Sequence, residues 1–386
     1  MKSERSLILK IIPIIVGVFV AYLVIGLALP VIPLHVHLGL GLGTFVVGLV
    51  AGAQFISSLI SRFWSGIYAD KHSGRKAMVI GLMTALVAGL FYLLSLLFVS
   101  NPTASVTILL IGRGILGGAE SFIVSGALVW GIALAGSQNT GKIMSWVGTA
   151  MYIAFALGAP AGITLYAKFG FTSIALATAL IPIFTLLLVV PSRVIAVAPN
   201  IRPSFAKVIG SVSLPGLGLA LCSVGFGSIT TFIVLLYAQN NWGQAWLSLT
   251  GVSITFVLGR LILGHLPDKI GGAKIALICI LIEAVGQALI WLAPSSNVAL
   301  LGAMITGLGY SLIYPGFGVE AVRHSPPENR GLATGAYTAF LDLALGLANP
   351  ALGLVASGMG LNAVFLVSMI VVLSAAVIAI WLVKSK

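Results

Sequence analysis

Four ionisable side chains, Arg113, Glu120, Glu283 and Asp342, stand inside long apolar runs of a 386-residue chain. An unpaired charge in hydrocarbon costs at least about 2.5–3.5 kcal/mol on insertion scales, so each needs a reason to be there. The chemistry open to such a set is the uptake and release of protons, because a buried carboxyl can be neutral in a dry setting and charged when water or a cation reaches it. Arg113 and Glu120 are seven residues apart, so on a helix they share a face and stand roughly 10 Å apart along the axis. That spacing lets Arg113 bias the proton affinity of Glu120 or compete with it for an anionic group; a plain salt bridge is the structural alternative. Asp342 falls about eleven residues into its run, near mid-bilayer, where it serves either proton transfer or a hydrogen bond between helices. Glu283, with Gln287 one turn on, reads as a polar contact to a neighbouring helix. No His, Cys or Asp set has catalytic spacing. His35 and His37 form the one close histidine pair and read as an interfacial loop, while Cys222 and Cys279 read as free core thiols. Neither a cofactor nor a metal nor a catalytic residue is expected.

The elements that position these residues follow from composition. Charged residues are 7% and apolar residues 59% of the chain, a balance that would leave a water-soluble surface mostly hydrocarbon. Spans of roughly 20 apolar residues cross a bilayer, and the breaks divide the chain into twelve, near 10–34, 43–62, 77–99, 105–134, 143–166, 170–190, 209–238, 243–264, 273–293, 297–321, 331–356 and 360–383. The fold class is therefore all-α, integral to the lipid bilayer. The net charge of +12 reports orientation: 18 of the 20 Lys and Arg residues fall at the termini and on one side, and only Lys168 on the other. By the positive-inside rule both termini are cytoplasmic, and no nucleic-acid surface is expected.

The chain also repeats. Arg62, Gly66, Asp70 and Lys71 are matched 198 residues later by Arg260, Gly264, Asp268 and Lys269, between apolar runs in both copies. Gly158-Ala-Pro160-Ala-Gly162 is echoed near Pro350, and Gly170 by Gly360, at an offset of 190. Six helices over 1–190, a Pro-rich linker over 191–208 and six more helices over 209–386 are the expected organisation, with the halves parallel. Arg62, Gly66, Asp70 and Arg75 in one loop, and Arg260, Gly264, Asp268 and Lys269 in the other, read as a gate in which carboxylates cap facing helix N-termini and arginines pair with them or snorkel. The motif Gly falls three residues after the acid at Gly271 but four after it at Gly74, so an extra residue is expected in the first turn.

These loops, with Arg113-x-x-x-Gly117-Gly118-Ala119-Glu120 and Gly158-Ala-Pro160-Ala-Gly162, resemble the signature motifs of the major facilitator superfamily across the whole chain. Gly264 to Lys274 and Ala336 to Gly346 most resemble the bacterial arabinose-efflux-like permeases typified by YhhS and YfcJ. The resemblance implies a central cavity lined by the first, fourth, seventh and tenth helices, so that Glu120 and Arg113 face it and Glu283 is peripheral. It also associates the Gly158–Gly162 motif with antiporters, and it implies a monomer in a bacterial cytoplasmic membrane. Tyr22, Phe226, Thr230, Tyr310, Ser311 and Tyr314, with Tyr152 and Tyr337, are candidate cavity contacts to a small amphipathic substrate, or packing aromatics and hydroxyls.

The expected function is a secondary transporter that exports a small organic compound in exchange for protons by alternating access. An importer or uniporter of a sugar or metabolite with structural acids is the nearest alternative. A membrane-embedded lipid-handling protein or enzyme, and a channel, are more distant ones.

Overall fold

The protein, seen in a computed structural model, is described over residues 2–136, 139–192, 206–323 and 330–385. Twelve helices among the described residues are long and apolar enough to cross a membrane. They are α1 (Lys2–Ala28), α2 (Thr44–Lys71), α3 (Gly74–Leu96), α4 (Pro102–Ala135), α5 (Thr140–Phe169), α6 (Phe171–Val189), α7 (Ala206–Gln239), α8 (Trp246–Leu263), α9 (Gly272–Trp291), α10 (Ser296–Tyr310), α11 (Arg330–Met359) and α12 (Leu361–Lys384). Short helical pieces extend three of them: Val31–Leu34 and a π-helical turn His35–Gly39 after α1, Leu266–Ile270 after α8, and Ile313–Arg323 after α10. All twelve expected spans are present. The expected linker lies mostly outside the described residues, since 193–205 are not among them.

The chain forms two compact units, residues 1–41 with 53–200, and residues 42–52 with 201–386. In the first, α1 packs on α4, α5 and α6, and α3 packs on α4 and α6; in the second, α7 packs on α10, α11 and α12, and α9 on α10 and α12. The five pairings are the same after adding six to each helix number, so the repeat read from loop motifs extends to the packing. Helix α2 contributes to both units. Its first turns, from Thr44 to Gly52, belong to the second, where the Thr44 hydroxyl donates to the Gly353 carbonyl (2.9 Å).

Helices this apolar gain nothing from hiding from lipid, so they associate by close van der Waals packing and interhelical hydrogen bonds. Small residues decide where they meet. A Cβ on Gly26 of α1 would lie 2.9 Å from the Ala154 carbonyl oxygen of α5, and one on Gly162 would lie 2.1 Å from that of Leu27. The Gly158–Gly162 motif is thus the seat of α1 against α5. Between α5 and α6 the turn is one residue, Gly170 at φ +66°, and between α11 and α12 it is Gly360 at φ +88°. Only glycine adopts that backbone without strain, which is why the echo at offset 190 survives there.

The two repeated loops solve one problem in two ways. Gly74 and Gly272 occupy the same place, the first residue of α3 and of α9; a Cβ on either would lie 2.4 or 2.2 Å from the carbonyl oxygen of Gly126 or Gly316. The first turn therefore holds no extra residue. The difference lies one position earlier, where Ser73 is extended (φ 172°) and its hydroxyl accepts from Lys76 N (3.1 Å), while Gly271 sits at φ +104°.

Candidate functional site

The first unit builds a carboxylate site from three helices. Glu120 on α4 is half-buried, and both of its oxygens accept hydrogen bonds: the Tyr22 hydroxyl of α1 donates to Oε1 and Gln54 Nε2 of α2 donates to Oε2, each at 2.7 Å. No cationic side chain pairs with Glu120 among the described residues, and the two hydrogen bonds are short ones. The other end of the same amide, Gln54 Oε1, is buried with no donor among the described residues.

Each donor arrives by a glycine contact. Tyr22 stands one turn before Gly26, the seat of α1 on α5, and its ring meets Phe155 edge-on (5.4 Å, 61°). Gln54 is delivered by Gly117: a Cβ there would lie 1.9 Å from the Gln54 carbonyl oxygen, so α2 and α4 run almost backbone to backbone. Hydroxyls continue that seam, with the Ser121 hydroxyl donating to the Ser58 carbonyl (2.7 Å) and Ser65 Oγ 3.0 Å from Ser125 Oγ. Sequence reasoning found Tyr22 and Glu120 but missed Gln54. A signal existed, since Gln54, Ser58, Ser61 and Ser65 recur at intervals of four, three and four on one helical face.

Arg113 does not join this group. It is buried, its Nη1 lies 3.5 Å from the Tyr92 hydroxyl of α3, and its Nε has no partner among the described residues. Nearby in that unit, His35 stacks face to face on Phe171 (4.0 Å, 3°), which in turn lies 6.0 Å from the Tyr92 ring. His35 is therefore a buried stacking residue in the turn after α1, where an interfacial loop was expected.

In the second unit Asp342 is buried on α11. The candidate aromatics collect there: Phe226 stacks on Tyr310 (5.3 Å, 11°), Tyr310 Oη lies 3.0 Å from Ser223 Oγ, and Tyr314 packs on Tyr337 (5.2 Å). The Tyr337 hydroxyl donates to the Tyr314 carbonyl (2.9 Å). Thr230 and Ser311 turn their hydroxyls to their own helices, onto Phe226 and Leu308 carbonyls. Tyr152, half-buried in the first unit, meets Phe155 edge-on (5.8 Å, 85°).

Around the loops, Arg75 donates to the Val190 and Ser192 carbonyls at the end of α6. The Arg260 guanidinium sits over the Phe256 and Tyr314 rings (5.9 and 5.8 Å), a cation–π arrangement. Arg62, Gly66, Asp70 and Gly264 are half-buried, and Asp268 and Lys269 are exposed. The acid that reaches the start of α9 is Glu320, whose Oε1 accepts from Ala273 N (3.2 Å). It was missed because it stands at the loop end of its run. Glu283 departs from its expected role: Gln287 makes the interhelical contacts, accepting from the Ser228 hydroxyl and donating to the Gly225 carbonyl (both 3.0 Å), while neither Glu283 oxygen has a partner among the described residues.

The sequence profile of the Major Facilitator Superfamily matches residues 14–250 and 216–386. Uncharacterized MFS-type transporters are similar over nearly the whole chain. One from Salmonella typhimurium is 38% identical over 95% of this chain and 94% of its own, and YhhS of Escherichia coli K12 is 38% identical over 93% and 88%. Among solved structures, the nucleoside transporter NupG superposes with a TM-score of 0.74 at 15% identity, covering 98% of this chain and 100% of that one. FucP in its outward conformation superposes with a TM-score of 0.67 at 16% identity, covering 98% and 99%.

Proposed function

From the premise that the chain belongs to the Major Facilitator Superfamily, and so is a multi-pass membrane transporter and not an enzyme, we propose that it is a proton-coupled antiporter exporting a small organic compound. It acts as a monomer in the bacterial cytoplasmic membrane, with both termini inside, and its two six-helix bundles, 1–190 and 209–386, work by alternating access. The observation that carries the reading is Glu120, a membrane-embedded carboxylate held by Tyr22 and Gln54 without a compensating cation among the described residues. A proton and a substrate that alternate on such a group exclude each other, and that exclusion couples their movements when the carrier switches only with one of them bound. Asp342 is the second candidate for the proton, and Arg113, buried two turns along α4, sets the field at Glu120 without bonding to it. Basic residues on the loop side support the orientation, and the glycine seat of α1 on α5 supports export through its likeness to the antiporter motif.

The test is proton flux in proteoliposomes containing a pH dye, with an imposed gradient and a panel of sugars, amphipathic drugs and metal chelators. Substrate-dependent loss of the gradient, abolished by Glu120→Gln, is expected, with Asp342→Asn separating the two acids. Substrate movement without a proton signal, unaltered in both variants, refutes the coupling.

A further inference from the structure

Along α2 and into the loop that follows it, Gln54, Ser58, Ser61, Ser65, Tyr68 and His72 recur at alternating intervals of four and three, which on a helix is one continuous face. That face meets α4 at several heights. Gln54 Nε2 donates to Glu120 (2.7 Å), Ser58 Oγ lies 3.1 Å from Ser121 Oγ, and Ser65 Oγ lies 3.0 Å from Ser125 Oγ. Tyr68 then lies 6.0 Å from the Phe122 ring and stacks on the exposed His72 (4.3 Å, 18°) at the loop before α3. Glycines leave room beside the serines. Gly117 is in backbone contact, but a Cβ on Gly118 would lie 3.4 Å from Ser61 Oγ and one on Gly114 3.9 Å from Ser57 Cβ, both ordinary contact distances. Close packing does not demand glycine at 114 or 118, so each leaves a methyl-sized space against a serine. At the Glu120 end, Gln54 Oε1 is a buried acceptor with no donor among the described residues, in a side chain that is 1% exposed. The repeat shows that the packing needs none of these polar groups. At offset 198 the six positions are Val252, Phe256, Gly259, Leu263, Leu266 and Ile270, all without a polar side chain, and α8 still meets α10 backbone to backbone at Gly307.

We propose that the α2–α4 seam is a proton lane between Glu120 and the loop that carries His72, built from the serine hydroxyls and from water seated beside Gly114 and Gly118. The proposal rests on the reading of Glu120 as the proton carrier and supplies the route by which its proton meets solvent. Successive side chains on the α2 face are three or four residues apart, about 4.5–6 Å along the axis, a gap that one hydrogen-bonded water bridges. A serine hydroxyl both donates and accepts, so each oxygen in the lane takes up one proton and gives its own to the next. The proton that leaves the Glu120 carboxyl goes to the water whose O–H answers Gln54 Oε1, passes along the serines, and reaches solvent through the His72 imidazole, an ordinary proton shuttle. After the passage every oxygen again holds the number of protons it started with, and the Glu120 carboxylate is left to take the next one.

The test uses full-length protein in nanodiscs, a proton pulse released by laser flash from a photolabile caged proton, and time-resolved infrared detection of the Glu120 carboxyl, identified as the band missing from Glu120→Gln. Gly118→Ala fills the space beside Ser61 without a clash, and Ala is the better helix former, so the melting temperature should hold or rise. Protonation of Glu120 should nevertheless slow by roughly ten-fold, the worth of one hydrogen-bonded step, while the pH at which the band titrates stays as in wild type. Gly118→Ser returns a hydroxyl to the same space and should restore the rate. Gly148→Ala, on α5 and with no atom within 4 Å of its Cβ, should leave the rate unchanged. A rate unaltered by Gly118→Ala, or slowed equally by Gly118→Ala and Gly118→Ser, overturns the lane. Either of those results leaves the antiport reading standing, because Glu120 then takes up its proton by another route. A Glu120 carboxyl with no titrating band defeats the lane and the coupling together.

Discussion

Gly117→Ala adds one methyl group at the point where α2 and α4 touch. The new Cβ would lie 1.9 Å from the Gln54 carbonyl oxygen, and ordinary contact begins near 3.4 Å, so α2 must withdraw by about 1.5 Å (3.4 less 1.9). The backbone it displaces carries Gln54, whose amide nitrogen is 2.7 Å from Glu120. A withdrawal of that size takes the pair to about 4 Å, outside hydrogen-bond range. A hydrogen bond to a charged group contributes about 1.5–3 kcal/mol, and the Ser58–Ser121 contact on the same seam, worth about 1 kcal/mol, opens with it. The variant should melt at lower temperature in detergent and lose more than about nine-tenths of its proton-coupled flux, since 1.4 kcal/mol is a factor of ten. Gly148→Ala is the control. No atom lies within 4 Å of a Cβ there, and Ala is up to about 1 kcal/mol the better helix former, so stability should hold or rise. Wild-type melting and flux in Gly117→Ala would refute the reasoning that this contact places Gln54 on Glu120.

The turns of the two repeated loops should respond differently to alanine. Gly271→Ala, at φ +104°, should destabilise by about 1–3 kcal/mol; Ser73→Ala loses only a cap, about 0.5–2 kcal/mol, and Ser73→Gly should nearly restore it. Glu320→Ala removes the side-chain acceptor at the start of α9 and should cost a similar 0.5–2 kcal/mol, measurable by thermal unfolding and partly recovered in Glu320→Gln. Glu283→Met, an apolar side chain of similar reach, should raise the melting temperature, because two buried oxygens without described partners are a burden of about 1–3 kcal/mol. A lower melting temperature would show that the carboxyl has a stabilising partner.

What sequence made legible here is what depends on neighbours in the chain. Span lengths, the duplicated loops and the one-residue turns at Gly170 and Gly360 follow from hydropathy and local backbone geometry. Glu120 stood out because a carboxylate in an apolar run is expensive. Partnerships across helices were harder to see. Glu283 and Gln287 are one turn apart, and only the rotation of α9 against α7 decides that Gln287 reaches Ser228 and Gly225 while Glu283 reaches nothing described. Gln54 was overlooked because an uncharged amide raises no alarm in a hydropathy reading, although its placement is fixed by a glycine that the sequence did display.

The repeat separates framework from chemistry, and that separation can be tested. Gly117 and Gly307 are counterparts at offset 190, and Gln54 and Val252 at offset 198. A Cβ on Gly307 would lie 2.3 Å from the Val252 carbonyl oxygen, so α8 meets α10 as α2 meets α4. Yet the carboxylate and its two donors are not repeated. Its own counterpart is Tyr310, that of Gln54 is Val252, and that of Tyr22 is Ala220. In the second unit the equivalent space is closed by the Phe226–Tyr310 stack. Gly307→Ala should therefore lower the melting temperature much as Gly117→Ala does, because the same backbone contact is forced apart, but it should leave the Tyr22 and Gln54 hydrogen bonds to Glu120, and so the Glu120-dependent proton flux, intact. If both variants abolish that flux equally, the carboxylate site depends on the packing of the whole molecule and not on the α2–α4 seam, and the assignment of Gly117 as the residue that places Gln54 is wrong.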